Sequence, residues 1–355
     1  MSLRDMIKER RVLVLIGAGG VGKTTTSVAV ATLAAQSGKK VALLSIDPAK
    51  RLAAALGMSL GSTLSQVNFG REMPGSVHAA MLDQKAVFDA MVRRHSPSPA
   101  VEARILADPL YKAASTNLGG PLEYMALAKL HELASDPQWD LVVLDTPPDT
   151  HALDFLARPN LLSGFMDNKV LSWLVKPFLV AGKFGFGRIM SLSEKLMGGM
   201  ATVTGVDALR NLGEFLILMQ EVIEGFHKAG EGVIRLLRGS TTGFFLVTVP
   251  TKAAARSAVY LADQLFDMGY RLDALILNRC VPEEVVTAEL PEGPWASLLS
   301  ARRDGEAEVT QSLKQTLATH QGPAVMVKVP DQALDLHNAD GIVEFANHLA
   351  NARHV

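Results

Sequence analysis

Residues 17–25 read Gly17-Ala-Gly-Gly-Val-Gly-Lys-Thr-Thr25, which satisfies Gly-x-x-x-x-Gly-Lys-Thr from Gly17 to Thr24. That pattern is a phosphate-binding loop when a strand precedes it and a helix follows. Both flanks fit. Arg11-Val-Leu-Val-Leu-Ile16 is a short apolar run and reads as a buried strand. Thr24 to Gln36 is Ala-rich and reads as a helix, with Gly38 as its stop. Glycines let the backbone wrap a polyphosphate with its N–H groups turned inward, and the helix N-terminus adds positive potential. Gly19, Gly20, Val21, Gly22, Lys23, Thr24 and Thr25 are therefore the candidate nucleotide contacts. Lys23 adds a full charge, and the Thr24 hydroxyl is placed to sit on Mg²⁺.

The same reading extends along the chain. Apolar runs at Val12–Ile16, Val41–Ile46, Val77–Met81, Leu141–Leu144, Phe244–Val249, Ala274–Leu277 and Val325–Val329 alternate with helical segments. This predicts an α/β fold, a mostly parallel sheet covered by helices on both faces. Two regions break the alternation. Ala86 to Ser135 reads as helices with loops at Ser96-Pro-Ser-Pro99 and Gly119-Gly-Pro121, and Asp154 to Gly239 also reads as helical. In the second region Leu212, Phe215, Leu216, Met219, Val222, Ile223, Phe226, Val233 and Leu237 fall mostly on one helical stripe. Its first half interleaves Phe165, Met166, Trp173, Phe178, Phe184, Phe186, Met190, Met197 and Met200 with glycines. It reads either as a layer packed on itself or as an adaptable apolar groove for another chain. The expected organisation is one domain over 1–355 with a helical subdomain from about 86–135 and 154–239.

Two carboxylates end strands beside the loop. Asp47, in Ser45-Ile-Asp47-Pro48-Ala49-Lys50-Arg51, stands where ligands bind in open α/β sheets. It could activate a water aimed at the γ-phosphate, or cap a helix with Pro48 at its first position. Asp145 follows Leu141-Val-Val-Leu144, the pattern that brings a carboxylate near Mg²⁺ or its water shell. Lys23, Asp47 and Asp145 are the catalytic candidates. Thr24 would bind Mg²⁺ directly, Asp47 and Asp145 through water. The turn Thr146 to His151 is a candidate switch segment. The sixth strand ends in Leu277-Asn278-Arg279-Cys280-Val281. A guanine site would need Asp where Val281 stands, so adenine is favoured, with Asn278 able to meet its edge or simply to form a turn.

Bulk properties set limits. The chain has 355 residues, 48% of them hydrophobic, and a formal net charge of −1, so no global field points to nucleic acid. A single cysteine, Cys280, makes neither an internal disulfide nor a multi-cysteine metal site and suits a reducing cytoplasm. The N-terminus has no secretory apolar core, and no run reaches the roughly 18 apolar residues of a membrane span.

Taken together, the motifs resemble the ArsA/Get family of P-loop ATPases, within the wider class that includes MinD and ParA. The resemblance covers nearly the whole chain and rests on Gly17–Thr25, Ser-Ile-Asp-Pro-Ala (45–49), Gly-Gly-Pro-Leu-Glu-Tyr (119–124), Asp-Thr-Pro-Pro-Asp-Thr-His (145–151), Val-Pro-Thr (249–251), Leu-Asn-Arg (277–279) and Val-Pro-Asp (329–331). It implies ATP and Mg²⁺ as cofactors and a nucleotide-gated dimer. By position it gives Asp47 the water-activating role in switch I and Asp145 the switch II role. Asn278, Pro330 and Asp331 fall on the adenine side. Members that target tail-anchored proteins hold a transmembrane helix in a Met-rich groove, which implies a hydrophobic client and leaves a peripheral membrane partner open. The family's loop usually carries a lysine that reaches across the dimer; here that position is Ala18. Lys50, Arg51 or a paralogous subunit in a heterodimer are the candidate substitutes. The zinc-binding Cys-x-x-Cys and the arsenite cysteine triad are absent. A metalloid-transport subunit and a ParA/MinD-like positioning ATPase remain the alternative readings. The single cysteine opposes the first, and the helical insertion and weakly basic C-terminus oppose the second.

Overall fold

The computed structural model describes residues 2–47, 51–117, 121–147, 203–287, 293–319, 325–331 and 339–354. The chain divides into two compact units, one of residues 1–83, 129–157 and 234–355, the other of residues 84–128 and 158–233.

The first unit is built on a nine-stranded sheet among the described residues. Its strands are β1 (Val12–Ile16), β2 (Lys40–Ser45), β3 (Ser65–Gln66), β4 (Ser76–Met81), β5 (Leu141–Asp145), β6 (Thr242–Thr248), β7 (Leu272–Cys280), β8 (Val325–Pro330) and β9 (Arg353–His354). The order is β3-β4-β2-β5-β1-β6-β7-β8-β9. Every internal pairing is parallel, and only the two-residue edge strands β3 and β9 run antiparallel. All seven expected strands are present. Strands β1 and β5 are buried at every position because both faces are covered, which is why their sequences are continuously apolar. The chain leaves β1 for β2 on one side and crosses from β5 to β6 on the other, so the order reverses beside β1, and the turn after β1 lies at a topological switch point, where open α/β sheets bind ligands.

That turn leads into the helix Lys23–Gln36, buried along Thr26–Ala35. Gly38, at φ +92°, ends it in the left-handed conformation that glycine adopts without a Cβ penalty. The helix Ala339–Ala350 packs on it and presents Ile342, Val343, Phe345, Ala346 and Leu349 to the same apolar core as Leu13, Leu15, Leu33 and Leu43.

The described part of the second unit is helical. It holds Gln84–His95, Pro99–Ala107 and Pro109–Asn117, with residues 121–128 and 203–233 of the longer helices Pro121–Ser135 and Val203–Arg238. A break at Asp108, not expected from the sequence, separates two of these helices. Tyr111 is buried and donates to Asp89 at 2.6 Å, while Lys85 bonds the same carboxylate. On the expected stripe of the long helix, Met219, Val222 and Val233 are buried, as is Leu237 farther on. The Met- and Phe-rich stretch from Phe165 to Met200 lies outside the described residues.

Candidate functional site

The site forms where β1, β2 and β5 end. β1 sits beside β5 with Leu15 opposite Asp145, and β2 flanks β5 on the other side with Ser45 opposite Asp145. Asp145 therefore emerges from the middle of the sheet, with none of its surface exposed. Its carboxylate accepts from Thr24 Oγ1 at 3.0 Å, Ser27 Oγ at 3.2 Å and Ser45 Oγ at 2.9 Å. Burial pushes its pKa up to about 6, partly offset by the Ser45 and Thr24 hydroxyls and the Lys23 charge. The predicted strand stopped one residue short, at Leu144, because a charge usually ends a buried run. Here three hydroxyls from other elements let the strand continue to Asp145.

The loop itself is shaped by its glycines. Gly22 caps the helix at φ +94°, and a Cβ there would come within 2.4 Å of Asn278 Nδ2. At Gly17 a Cβ would lie 2.3 Å from the Val247 carbonyl oxygen of β6, so the loop passes too close to the sheet for any side chain. Lys23 is buried, and its ammonium donates to Gly17 O at 2.7 Å and Ala18 O at 2.9 Å. Thr146 closes the other side by donating to Leu15 O at 2.7 Å.

Asp47 lies just past β2, 5% exposed, with its backbone N–H on Ser45 Oγ at 3.3 Å. Its Oδ2 accepts from Arg51 at 2.9 Å. Arg51, one of the expected substitutes for a lysine at position 18, is thus paired within its own chain. Lys50, Pro48 at the expected first helical position and the switch residues 148–151 lie outside the described residues. Asn278 is buried and donates from Nδ2 to Val21 O at 2.9 Å, so its amide supports the loop from below. Pro330 and Asp331 stand at the end of β8, where Asp331 pairs with Arg302 at 2.9 Å. Gly19, Gly20 and Thr25 complete the loop and the first helical turn.

Sequence reasoning missed Ser27 and Ser45 as partners of Asp145. Ser45, a polar residue ending an otherwise apolar strand, was the available signal. Glu306 was missed entirely: it is 5% exposed on the helix Pro294–Ala318 and accepts from Val281 N–H at 2.7 Å and Lys328 Nζ at 2.8 Å. Cys280 is also buried, and burial with the nearby Glu306 charge pushes its thiol up to about 12. Among the described residues no group of three or more His, Cys, Asp or Glu side chains is placed to hold a metal ion.

Comparison with known families matches residues 10–351 to the anion-transporting ATPases of the ArsA type. The chain belongs to this family. It is an ATPase on the P-loop α/β fold. It is 26% identical over 303 residues to an "ATPase ASNA1 homolog" of Trypanosoma cruzi, covering 79% of this chain and 77% of that one. It is 23% identical over 355 residues to the "Putative arsenical pump-driving ATPase 2" of Aquifex aeolicus, covering 96% and 99%. Over 207 residues it is 29% identical to the "ATPase GET3" of Malassezia globosa, covering 58% and 55%. Among the described residues no helix is long and apolar enough to cross a membrane.

Proposed function

We propose that this ATPase is a Mg²⁺-dependent, dimeric switch that couples its nucleotide state to the capture of a protein client through its helical unit, working in the cytoplasm. The observation that carries the enzymatic half is the buried Asp145 at the end of a central strand, which accepts from Thr24, the residue after Lys23, and from Ser45, two residues before Asp47.

In this reading the loop N–H groups from Gly19 to Thr25 hold the β- and γ-phosphates, and Lys23 turns its ammonium from the loop carbonyls to the phosphate oxygens. The Thr24 hydroxyl with the Asp47 and Asp145 carboxylates is an all-oxygen donor set, which suits Mg²⁺. Thr24 would bind it directly and the two carboxylates through water. Bound there, the ion would offset charge on the phosphate oxygens. A raised pKa fits the same role, since a buried carboxylate without a cation favours its neutral form. Asp47 orients the attacking water and takes its proton. Adenine lies toward Asn278, Pro330 and Asp331, with the Asn278 carbonyl oxygen meeting the adenine amino group.

Support for the client half comes from the second unit. A cleft of about 650 Å³ there is lined by the apolar Leu110, Phe215 and Leu218 together with the charged Arg104, Asp108 and Glu214. The arsenical-pump names among the relatives would suggest a metalloid substrate. The one thiol here is buried and its pKa lies near 12, so it supplies no thiolate for arsenite.

The test is Mg·ATP turnover of the purified chain beside Lys23→Ala and Asp47→Asn, with mass in solution measured with and without nucleotide. Lys23→Ala is expected to abolish turnover. Asp47→Asn is expected to keep ATP binding and lower kcat by at least about 100-fold. Wild-type turnover from Asp47→Asn would remove Asp47 from the chemistry. A mass that ignores ATP would remove the nucleotide-gated dimer.

A further inference from the structure

The carboxyl end of β7 is bent in a way its own sequence does not favour. Leu277 pairs with Lys328 of β8, but the next pairing is Cys280 with Pro330, so three steps on β7 match two on β8. The extra residue falls in a bulge at Arg279, which has φ +59°. Left-handed backbone is disfavoured for a side chain such as arginine, and glycine would be the ordinary occupant. Something outside the strand must hold it there.

The helix Pro294–Ala318 does so from one side. Glu306 accepts the Val281 N–H at 2.7 Å and the Lys328 ammonium at 2.8 Å. One turn earlier, Arg302 donates to the Arg279 carbonyl at 3.3 Å and to the Asp331 carboxylate at 2.9 Å. Asp331 N–H closes the ring on Cys280 O at 2.7 Å. Two side chains of one helix therefore hold the bulge, at the Arg279 carbonyl and at the Val281 N–H. Immediately before it, Asn278 donates to Val21 O and fills the space beside Gly22. Gly22 is the N-cap of the helix that begins with Lys23, and no side chain caps that end.

We propose that Glu306, with Arg302, is a positioning residue for ATP binding: it holds the strained Arg279 bulge so that Asn278 supports the phosphate loop at Val21 and Gly22. The idea rests on Gly17–Thr25 being the ATP site. A purely structural ion pair would stabilise the fold without reaching the loop. The two roles separate because strain at Arg279 can be removed independently.

The experiment replaces the ion pair by hydrocarbon of similar size, Glu306→Leu with Lys328→Met, so that no unpaired charge is buried and the fold is kept. Val281 N–H then loses its acceptor. Hydrogen exchange of residues 17–25 and 278–281 is measured on the nucleotide-free protein, and KM and kcat for Mg·ATP on the same samples. Exchange in both segments is expected to speed up by about tenfold or more. KM is expected to rise by about tenfold, with kcat within about twofold. Adding Arg279→Gly removes the strain and is expected to return both readouts most of the way to wild type. A folded double variant with unchanged exchange at 17–25 overturns the proposal. So does a loss that Arg279→Gly leaves untouched. Absence of ATP binding in the wild-type chain would instead remove the nucleotide assignment, while the exchange measurement still decides the role of Glu306. Glu306→Gln, which keeps an acceptor for Val281, is expected to behave nearly as wild type, and an equally large KM rise in it would also count against the proposal.

Discussion

Asp145 is a carboxylate with no exposed surface, held by three hydroxyls and raised to a pKa of about 6 by burial. The sign of its effect on stability follows from that direction. Between its ordinary value of 3.8 and about 6 the folded chain keeps a proton that the unfolded chain has released. Its contribution is therefore fully present below about pH 4 and is lost as pH rises through 6. At neutral pH the nucleotide-free protein carries an ionised buried carboxylate at a cost on the order of 2–3 kcal/mol. Asp145→Asn is expected to remove that cost, raising the nucleotide-free protein's unfolding free energy at pH 7.5 and flattening its slope between pH 4 and 6. Denaturant unfolding across that range checks it; a neutral-pH loss of stability would show that the ionised group is better solvated than its burial implies. Turnover is expected to fall in the same variant, a site residue being set against stability.

At the scale of elements, Asp273 shows how a strand can be held by a residue far away. Its carboxylate takes Arg10 at 2.5 Å and the Phe244 N–H at 3.0 Å, and the β6–β7 register shifts between Phe244 and Phe245. Asp273→Ala leaves the Arg10 charge and the Phe244 N–H without this partner, and is expected to cost about 3 kcal/mol with KM for ATP unchanged. Chemical denaturation beside steady-state kinetics separates the two effects. A shifted KM would mean that the bulge communicates with the loop. The same residue explains where sequence reading stopped. The expected strand began at Ala274, because an aspartate breaks an apolar run, yet β7 begins at Leu272. The interiors of β1, β2 and β5 were legible since burial on both faces leaves a continuous apolar run. Edge strands Ser65–Gln66 and Arg353–His354 are too short to carry a period. Within the site, the loop and the two aspartates were legible because strand, turn and helix are contiguous in sequence. The bond from Asn278 to Val21 spans 257 residues, and Glu306 reaches Val281 from a helix that shows no local sign of it. Such partners are set by tertiary packing alone.

For the molecule as a whole, the proposed dimer needs a substitute for the cross-dimer lysine that the family resemblance implies at position 18. Ala18 stands at that position and packs against the apolar core, while its carbonyl accepts from Lys23. Arg51 is paired with Asp47 in its own chain, which makes it a local partner of the carboxylate proposed to activate water rather than a group extended toward a second subunit. If the active assembly is two copies of this chain, both sites lack the charge. Supplying it should then lower the barrier at both. Charges donated in trans to a transferring phosphoryl group raise kcat by orders of magnitude in other P-loop proteins. Ala18→Lys is therefore expected to raise Mg·ATP turnover by at least about tenfold, with a steep dependence on protein concentration because the lysine acts only in the dimer. Lys23 must stay intact for the gain, so Ala18→Lys combined with Lys23→Ala is expected to be inactive. Turnover plotted against protein concentration reads the outcome directly. A rate that rises without concentration dependence would place the new lysine on its own chain's phosphates. No rise at any concentration would mean that the charge comes from a paralogous partner, and that a heterodimer is the assembly to reconstitute.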